Sequence, residues 1–302
     1  MTGYHTAVLA GTVARLGQGR RRMVDGTLGG GGHAAVFLQA GAVVLGVDRD
    51  PEALAEAARR LGEAAIQFVR GSFGDPDVLA TIAAFQPDFV LLDLGVSSHQ
   101  FDTDARGFSF RSDVPLDMRM SAAGPTAADL LNTWSEADLG ALLREFGDEP
   151  RARRLAVSIV ERRRRAPFAT SDDLVGAIRR ALGPRTGPGD FARLFQAVRI
   201  AVNDEIAILT RALPVLRDAL VEHGLLVVIA YHSGEDRVVK HAFRDWARTC
   251  RCPPRQPVCT CEGRAYGRLV TRRPIEADAE EIADNPRARS ARLRAFEVVR
   301  GA

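Results

Sequence analysis

Two acids and a run of glycines stand close together near the start of this chain. The stretch Val24-Asp25-Gly26-Thr27-Leu28-Gly29-Gly30-Gly31-Gly32-His33 is followed by Val43-Val44-Leu45-Gly46-Val47-Asp48. Gly29, Gly31 and Ala34 fit a G-x-G-x-x-G/A turn, and Asp48 lies 19 residues after Gly29, where a ribose-binding acid is expected. Asp25 decides between ligands. A dinucleotide brings a pyrophosphate to such a turn, and a carboxylate beside it repels that charge. S-adenosylmethionine has no phosphate and carries a sulfonium and an ammonium, which an acid attracts. The pattern favours S-adenosylmethionine over a nicotinamide dinucleotide.

A third acid closes another apolar run, Leu91-Leu92-Asp93-Leu94-Gly95-Val96-Ser97-Ser98-His99-Gln100. Ligands of doubly wound sheets collect at the carboxyl ends of strands, so Asp93 is either beside the reacting atom or a turn cap. A carboxylate there suits an amine nucleophile, because accepting its N–H raises the nucleophilicity of a delocalised lone pair. Phe73 either stacks on adenine or packs in the core, and His33 either caps the helix it opens or touches the cofactor. Ser72 reads as a turn residue. Two further polar clusters, Arg106–Phe110 with Pro115–Met120 and Tyr231–Arg237, occupy the loops where function concentrates. In the last of these, His232 and Ser233 face the same sheet edge as Asp93.

The elements that must carry these residues alternate. Met23–Asp25, Val43–Val47, Ile66–Val69 and Phe89–Leu94 read as buried parallel strands, with Asp50-Pro51 opening a helix whose apolar face is Ala53, Leu54, Ala57, Ala58 and Leu61. From about 127 to 213 the periodicity is helical: one helix begins near Thr133-Trp134-Ser135-Glu136, others span Arg151–Arg165 and Ser171–Leu182. A Gly/Pro-rich break at 183–189 then precedes a long helix from Phe191 to Leu220 that Pro214 kinks or divides. Strand character returns at Leu225–Ala230 and Leu293–Val299. The expected organisation is an α/β domain in two parts, 1–112 and 201–302, interrupted by a helical domain at 113–200.

With 302 residues, 46% of them hydrophobic and 26% charged, the chain is expected to be globular, with no apolar run near the roughly 20 residues a membrane span needs. The N-terminus has neither a basic head nor an apolar signal core, so a cytoplasmic location is expected. The net charge of +3 does not itself demand a polyanionic partner; the placement of the arginines matters more. Arg151, Arg154, Ser158, Arg162 and Arg165 recur at helical spacing, either as a solvated face or as a phosphate-contacting stripe, and Arg287, Arg289, Arg292 and Arg294 form a second basic group. Cys250, Cys252, Cys259 and Cys261 are too clustered for a disulfide scaffold. They are either zinc ligands or reduced thiols.

Taken together, these motifs resemble the RsmH (MraW) small-subunit rRNA methyltransferases over nearly the whole chain. The matching blocks include Asp25–Thr27 with Gly29–His33, Asp48–Pro51, Leu92–Ser98, Arg106–Phe110, Pro115–Met120, Phe195–Glu205, His232-Ser233, Glu235–Arg237 and Asn285–Arg287. The resemblance implies a class I S-adenosylmethionine-dependent methyltransferase fold with an inserted all-helical substrate-recognition domain. It implies transfer of a methyl group to N4 of a cytidine in 16S rRNA at the decoding centre of the small ribosomal subunit. It further implies that Gly31, Gly32, His33, Asp48, Phe73, Asp93 and Gln100 contact the cofactor, with Asp93 as the catalytic candidate and no metal ligand in the active site. Gly234, Asp190–Arg193 and His99 depart from the family's usual Leu, Pro-Ala-Thr-Arg and Pro. The competing readings are a protein or small-molecule methyltransferase, and a ribosome-assembly protein whose cofactor is structural.

Overall fold

A computed structural model describes residues 7–62, 66–96, 103–121, 123–250, 252–253, 256–260 and 263–300. In chain order the first elements are α1 (Ala10–Leu16), β1 (Arg22–Asp25), α2 (Gly32–Gln39), β2 (Val43–Asp48), α3 (Pro51–Leu61), β3 (Ile66–Arg70), α4 (Pro76–Phe85) and β4 (Phe89–Asp93). Among the described residues, five α-helices follow: α5 (Ala127–Thr133), α6 (Glu136–Glu145), α7 (Ala152–Arg163), α8 (Ser171–Leu182) and α9 (Pro188–Val202). The chain then forms α10 (Glu205–Ala219), β5 (Leu225–Ala230), α11 (Ser233–Trp246), β6 (Gly267–Leu269), α12 (Ala279–Asp284) and β7 (Arg292–Val298). Two compact units result, one of residues 2–95 with 206–302 and the other of 96–205.

The first unit is built on a seven-stranded sheet of order β3-β2-β1-β4-β5-β7-β6. β1 to β5 run parallel, while β7 is antiparallel to both β5 and β6. This is the class I methyltransferase arrangement. Alternate residues of each strand serve opposite faces, as a pleated strand requires. Val24, Leu45, Val47, Val90, Leu92, Leu226 and Val228 share one core with α4, α10 and α11. Met23, Val44, Phe89, Leu91, Leu225, Val227 and Ile229 share the other with α1, α2 and α3. All six residues of β5 are buried, which explains the unbroken apolar run Leu-Leu-Val-Val-Ile-Ala. The chain leaves β1 for β2 and β3 and then returns to β4 on the other side of β1. The strand order therefore reverses between β1 and β4, and there the carboxyl ends open a crevice.

The second unit packs α5 to α9 around one apolar core that also takes in Phe108, Leu116, Met118 and Met120. It begins earlier and ends later than the 113–200 expected from the sequence, for a physical reason. The loop before α5 is bound into it through Asn203, whose Oδ1 accepts the Met120 N–H at 2.8 Å while its Nδ2 donates to the Met118 carbonyl at 2.8 Å. Arg199 then clasps Glu205 with two bonds of 2.9 and 3.0 Å. The long helix expected from 191 to 220 is two helices. It breaks at Asn203-Asp204, where Asp204 takes a left-handed φ of 51°, and not at Pro214, which lies inside α10. The helix expected to begin within Thr133–Glu136 does so: Ser135 caps α6 by accepting the Asp138 N–H, and a separate helix, α5, ends just before it at Thr133.

Candidate active site at the switch of strand order

β1 delivers Asp25 and β4 delivers Asp93 to the two walls of the crevice; Asp25 pairs with Leu91, and Asp93 lies two residues further along β4. The turn after β1 is pinned on both sides. The Gly26 N–H donates to the Leu91 carbonyl and the Leu28 N–H to the Val47 carbonyl, each at 2.9 Å. The Thr27 hydroxyl accepts the Asp93 N–H at 2.6 Å, so the turn of one strand fixes the end of the other. Gly31 ends the turn with a φ of 75°, and a Cβ there would stand 2.6 Å from Leu61 Cδ1. Glycine at 31 is thus favoured by its left-handed backbone conformation, and any side chain there would also have to displace the tip of Leu61, before any ligand is considered.

Asp48, at the end of β2, spends both carboxylate oxygens on the main chain. One accepts the Gly29 N–H at 2.8 Å and the other the Asp50 N–H at 2.9 Å. Burial raises its pKa above the usual carboxylate value against the pull of those two donors. Asp50 in turn caps α3 by accepting the Glu52 N–H. The glycine turn therefore offers its Gly29 donor to an acid of its own, which is hostile to a pyrophosphate.

Asp25 is 1% exposed. Burial, reinforced by the neighbouring Asp93 and Asp48 and offset by His33 and the Thr27 N–H, pushes its pKa up to about 7. His33, the second residue of α2, is buried, with Nε2 3.5 Å from Asp93 Oδ2, an ion-pair distance rather than a hydrogen bond. Burial works against its charged form, but Asp93, Asp25 and Glu281 outweigh it and hold its pKa above the ordinary histidine value. Asp93 keeps 22% of its side chain exposed and accepts a 2.8 Å hydrogen bond from the Tyr231 hydroxyl at Oδ1. Burial, then Asp93 itself, pushes the Tyr231 phenol well above its usual pKa, so this group stays a donor. Three acids thus converge at one crevice, with His33 beside Asp93. Such a set favours a positively charged ligand.

Tyr231 is the residue that sequence reasoning passed over in favour of His232 and Ser233. The signal was present: Tyr231 follows β5 directly, and β5 pairs with β4 so that Asp93 lies beside Ile229. His232 has a different employment. Its Nδ1 accepts the Gly234 and Glu235 N–H groups at 3.2 and 3.4 Å, capping α11, and its Nε2 lies 3.2 Å from Glu235 Oε1. Phe73 belongs to the core beneath the crevice at 6% exposure. Ser72 is a turn residue, its N–H held by Asp75. Gly32 opens α2 beside Ala7. Gln100 lies outside the described residues.

The two basic groups are not the surfaces their spacing suggested. Along α7, Ser158 turns inward and donates to the Ala177 carbonyl, and Arg162 pairs with Asp173. Arg151 donates to the Leu182 carbonyl. The exposed arginines are Arg151, Arg153 and Arg154 at the start of α7 and Arg164 and Arg165 just past its end, of which Arg151 is engaged by the Leu182 carbonyl. In the C-terminal group, Arg294 is buried in a two-bond pair with Asp236 at 2.6 and 3.1 Å, so it is not part of a surface patch. The thiols of Cys250, Cys252 and Cys259 lie within 4.8 Å of one another, and Cys261 lies outside the described residues. None of the described helices is long and apolar enough to cross a membrane.

Comparison with known proteins agrees with this geometry. The MraW methylase family matches residues 3–299. A ribosomal RNA small subunit methyltransferase H of Gemmatimonas aurantiaca is 57% identical, over 97% of this chain and 95% of its own length. The proteins of that name from Trichlorobacter lovleyi and Heliobacterium modesticaldum are 46% and 43% identical, covering 91% and 99% of this chain and 91% and 100% of their own. A crevice lined with acids at the β1/β4 switch, on this sheet order and with similarity from end to end, places the chain in the MraW methylase family.

Proposed function

We propose that this chain transfers the methyl group of S-adenosylmethionine to the N4 amine of a cytidine in 16S rRNA, at the decoding centre of the small ribosomal subunit. The observation that carries the reading is the carboxylate set Asp25, Asp48 and Asp93 around a glycine turn whose Gly29 N–H is already taken. That set suits a sulfonium and an ammonium and rejects a pyrophosphate. The names of the relatives support rRNA of the small subunit as the methyl acceptor. With such a substrate the enzyme works in the cytoplasm.

When bound, the donor supplies a methyl group made electrophilic by its sulfonium. The residues of this chain do the rest. Gly31 and Gly32 let the main chain approach the donor's methionine part, and Asp48 has lone pairs left for ribose hydroxyls. Phe73 and Gln100 complete the proposed cofactor contacts. Asp93 keeps 22% of its side chain exposed and is fixed from two sides, by Thr27 at its N–H and by Tyr231 at Oδ1. It accepts an N–H of the cytosine amine and so aims the nitrogen lone pair at the methyl carbon. The N–C bond would form as the S–C bond breaks, with the electron pair staying on sulfur and the surplus N–H proton passing along the Asp93 hydrogen bond to solvent water. Tyr231 is a positioning residue in this scheme. The amine of a structured RNA must leave its stack to reach the crevice. The 96–205 unit is the proposed recognition domain, with Arg153, Arg154, Arg164 and Arg165 for phosphates.

Incubating the chain with donor labelled on the methyl group, small subunits, free 16S rRNA and ribosomal proteins tests this directly. Label entering RNA of the small subunit supports the reading. Label entering protein alone, or tight binding of NAD with none of the methyl donor, overturns it.

A further inference from the structure

The connection from α11 to β6 is closed at its base. The Tyr266 N–H donates to the Trp246 carbonyl at 2.8 Å, and the Arg217 guanidinium lies over both rings, 3.7 Å from the Tyr266 centroid and 4.7 Å from that of Trp246. Beyond that base, the described residues form neither helix nor strand. They bury no apolar side chain, and Val258 is 71% exposed. A loop of this length with no core of its own needs another source of order.

Its sulfur atoms supply one. Cys259 Sγ lies 3.8 Å from Cys250 Sγ and 3.8 Å from Cys252 Sγ. With Zn–S bonds of about 2.3 Å, the edge of a tetrahedron is about 3.8 Å, so these spacings are those of thiolates sharing one zinc ion. A second observation points the same way. The Thr260 N–H donates to Cys252 Sγ at 3.3 Å, the kind of main-chain bond that stabilises a thiolate ligand, and Gln256 Nε2 holds the Thr260 side chain at 2.7 Å. Burial does not explain the convergence, since Cys250 and Cys259 are exposed.

We propose that Cys250, Cys252 and Cys259 bind a zinc ion that staples the α11–β6 loop and takes no part in the reaction at the crevice. Thiolate donors at tetrahedral spacing select zinc over hard cations, which prefer oxygen. The site rests on none of the residues assigned to methyl transfer, so its failure and the failure of the proposed function are separable.

The test is metal analysis of the full chain purified under reducing conditions and reconstituted with zinc chloride. The expected content is about one zinc per chain, falling at least tenfold in Cys252→Ser and in Cys259→Ser. Cobalt substituted into the wild-type chain should give the intense visible bands of tetrahedral thiolate coordination, and zinc should bleach them. Because a variant can fail to fold, the wild-type chain is also treated with a chelator. Proteolysis should then speed up between residues 247 and 266, and added zinc should reverse the change. Zinc content no higher in the wild-type chain than in Cys252→Ser would overturn the proposal, as would iron in place of zinc or a loop indifferent to chelation.

Discussion

Replacing Asp25 by Asn should stabilise the donor-free protein at alkaline pH while weakening its hold on the methyl donor. Asp25 is buried at the end of β1, and burial with two neighbouring acids lifts its pKa from 3.8 to about 7. A carboxyl with a raised pKa binds more protons folded than unfolded, so stability falls as pH rises through the window between those values. A shift of about three units corresponds to about 4 kcal/mol, more than half of which falls between pH 5 and pH 8. His33 changes stability in the same direction, because its raised pKa gives a contribution that is lost as pH rises through the folded value. Asp25 is one cause of that shift, so Asp25→Asn reduces both contributions. The amide keeps the acceptor for the Thr27 N–H. Urea unfolding at pH 5 and pH 8 should show wild-type stability dropping by about 2–3 kcal/mol more than that of the variant. Calorimetry at pH 8 should show the variant binding S-adenosylmethionine more weakly, because the buried anion that destabilises the free protein is what the donor's cation neutralises. Parallel pH dependence in the two proteins, or an Asp25→Asn chain less stable at pH 8, would refute the reasoning.

Tyr231→Phe removes one hydrogen bond to a carboxylate, worth about 1.5–3 kcal/mol, and should lower kcat about 10- to 100-fold at saturating donor while leaving donor Kd within a few fold. Equal loss in both quantities would instead make Tyr231 part of the donor site. Gly31→Ala forces a left-handed φ on a residue with a Cβ 2.6 Å from Leu61 and should cost about 2–4 kcal/mol in chemical denaturation. Replacing Arg153, Arg154, Arg164 and Arg165 together by Gln should weaken binding to small subunits and flatten its salt dependence by about 0.7 per lost phosphate contact, with donor affinity unchanged. An unaltered slope would make α7 a solvated face.

The strands were legible because buried parallel strands are short apolar runs, and Val24, Leu45, Val90 and Val228 read that way from composition alone. β6 was not legible: its three residues, Gly-Arg-Leu, carry no alternation, and its place comes from pairing with β7. The end of α9 was misplaced because Pro214 is the conspicuous helix breaker. The actual break comes from Asp204 in a left-handed conformation and from Asn203 turning its amide onto the 118–120 loop. In the site, the acids were readable since each ends an apolar strand. Their mutual bonds were not, because Thr27 to Asp93 and Tyr231 to Asp93 join residues 66 and 138 positions apart through sheet register. The arginines misled for a related reason. Helical spacing gives a face of α7 but not which face meets α8, and Ser158 and Arg162 turn out to lie on the packed side.

The most direct measurement is nucleoside analysis of 16S rRNA after small subunits lacking the modification are incubated with the chain and methyl-labelled donor. The account predicts label in N4-methylcytidine from a single position in the decoding centre, and its near-complete loss with Asp93→Asn at saturating donor. Label on a ring carbon, on ribose or on a purine, or undiminished turnover by Asp93→Asn, would contradict it.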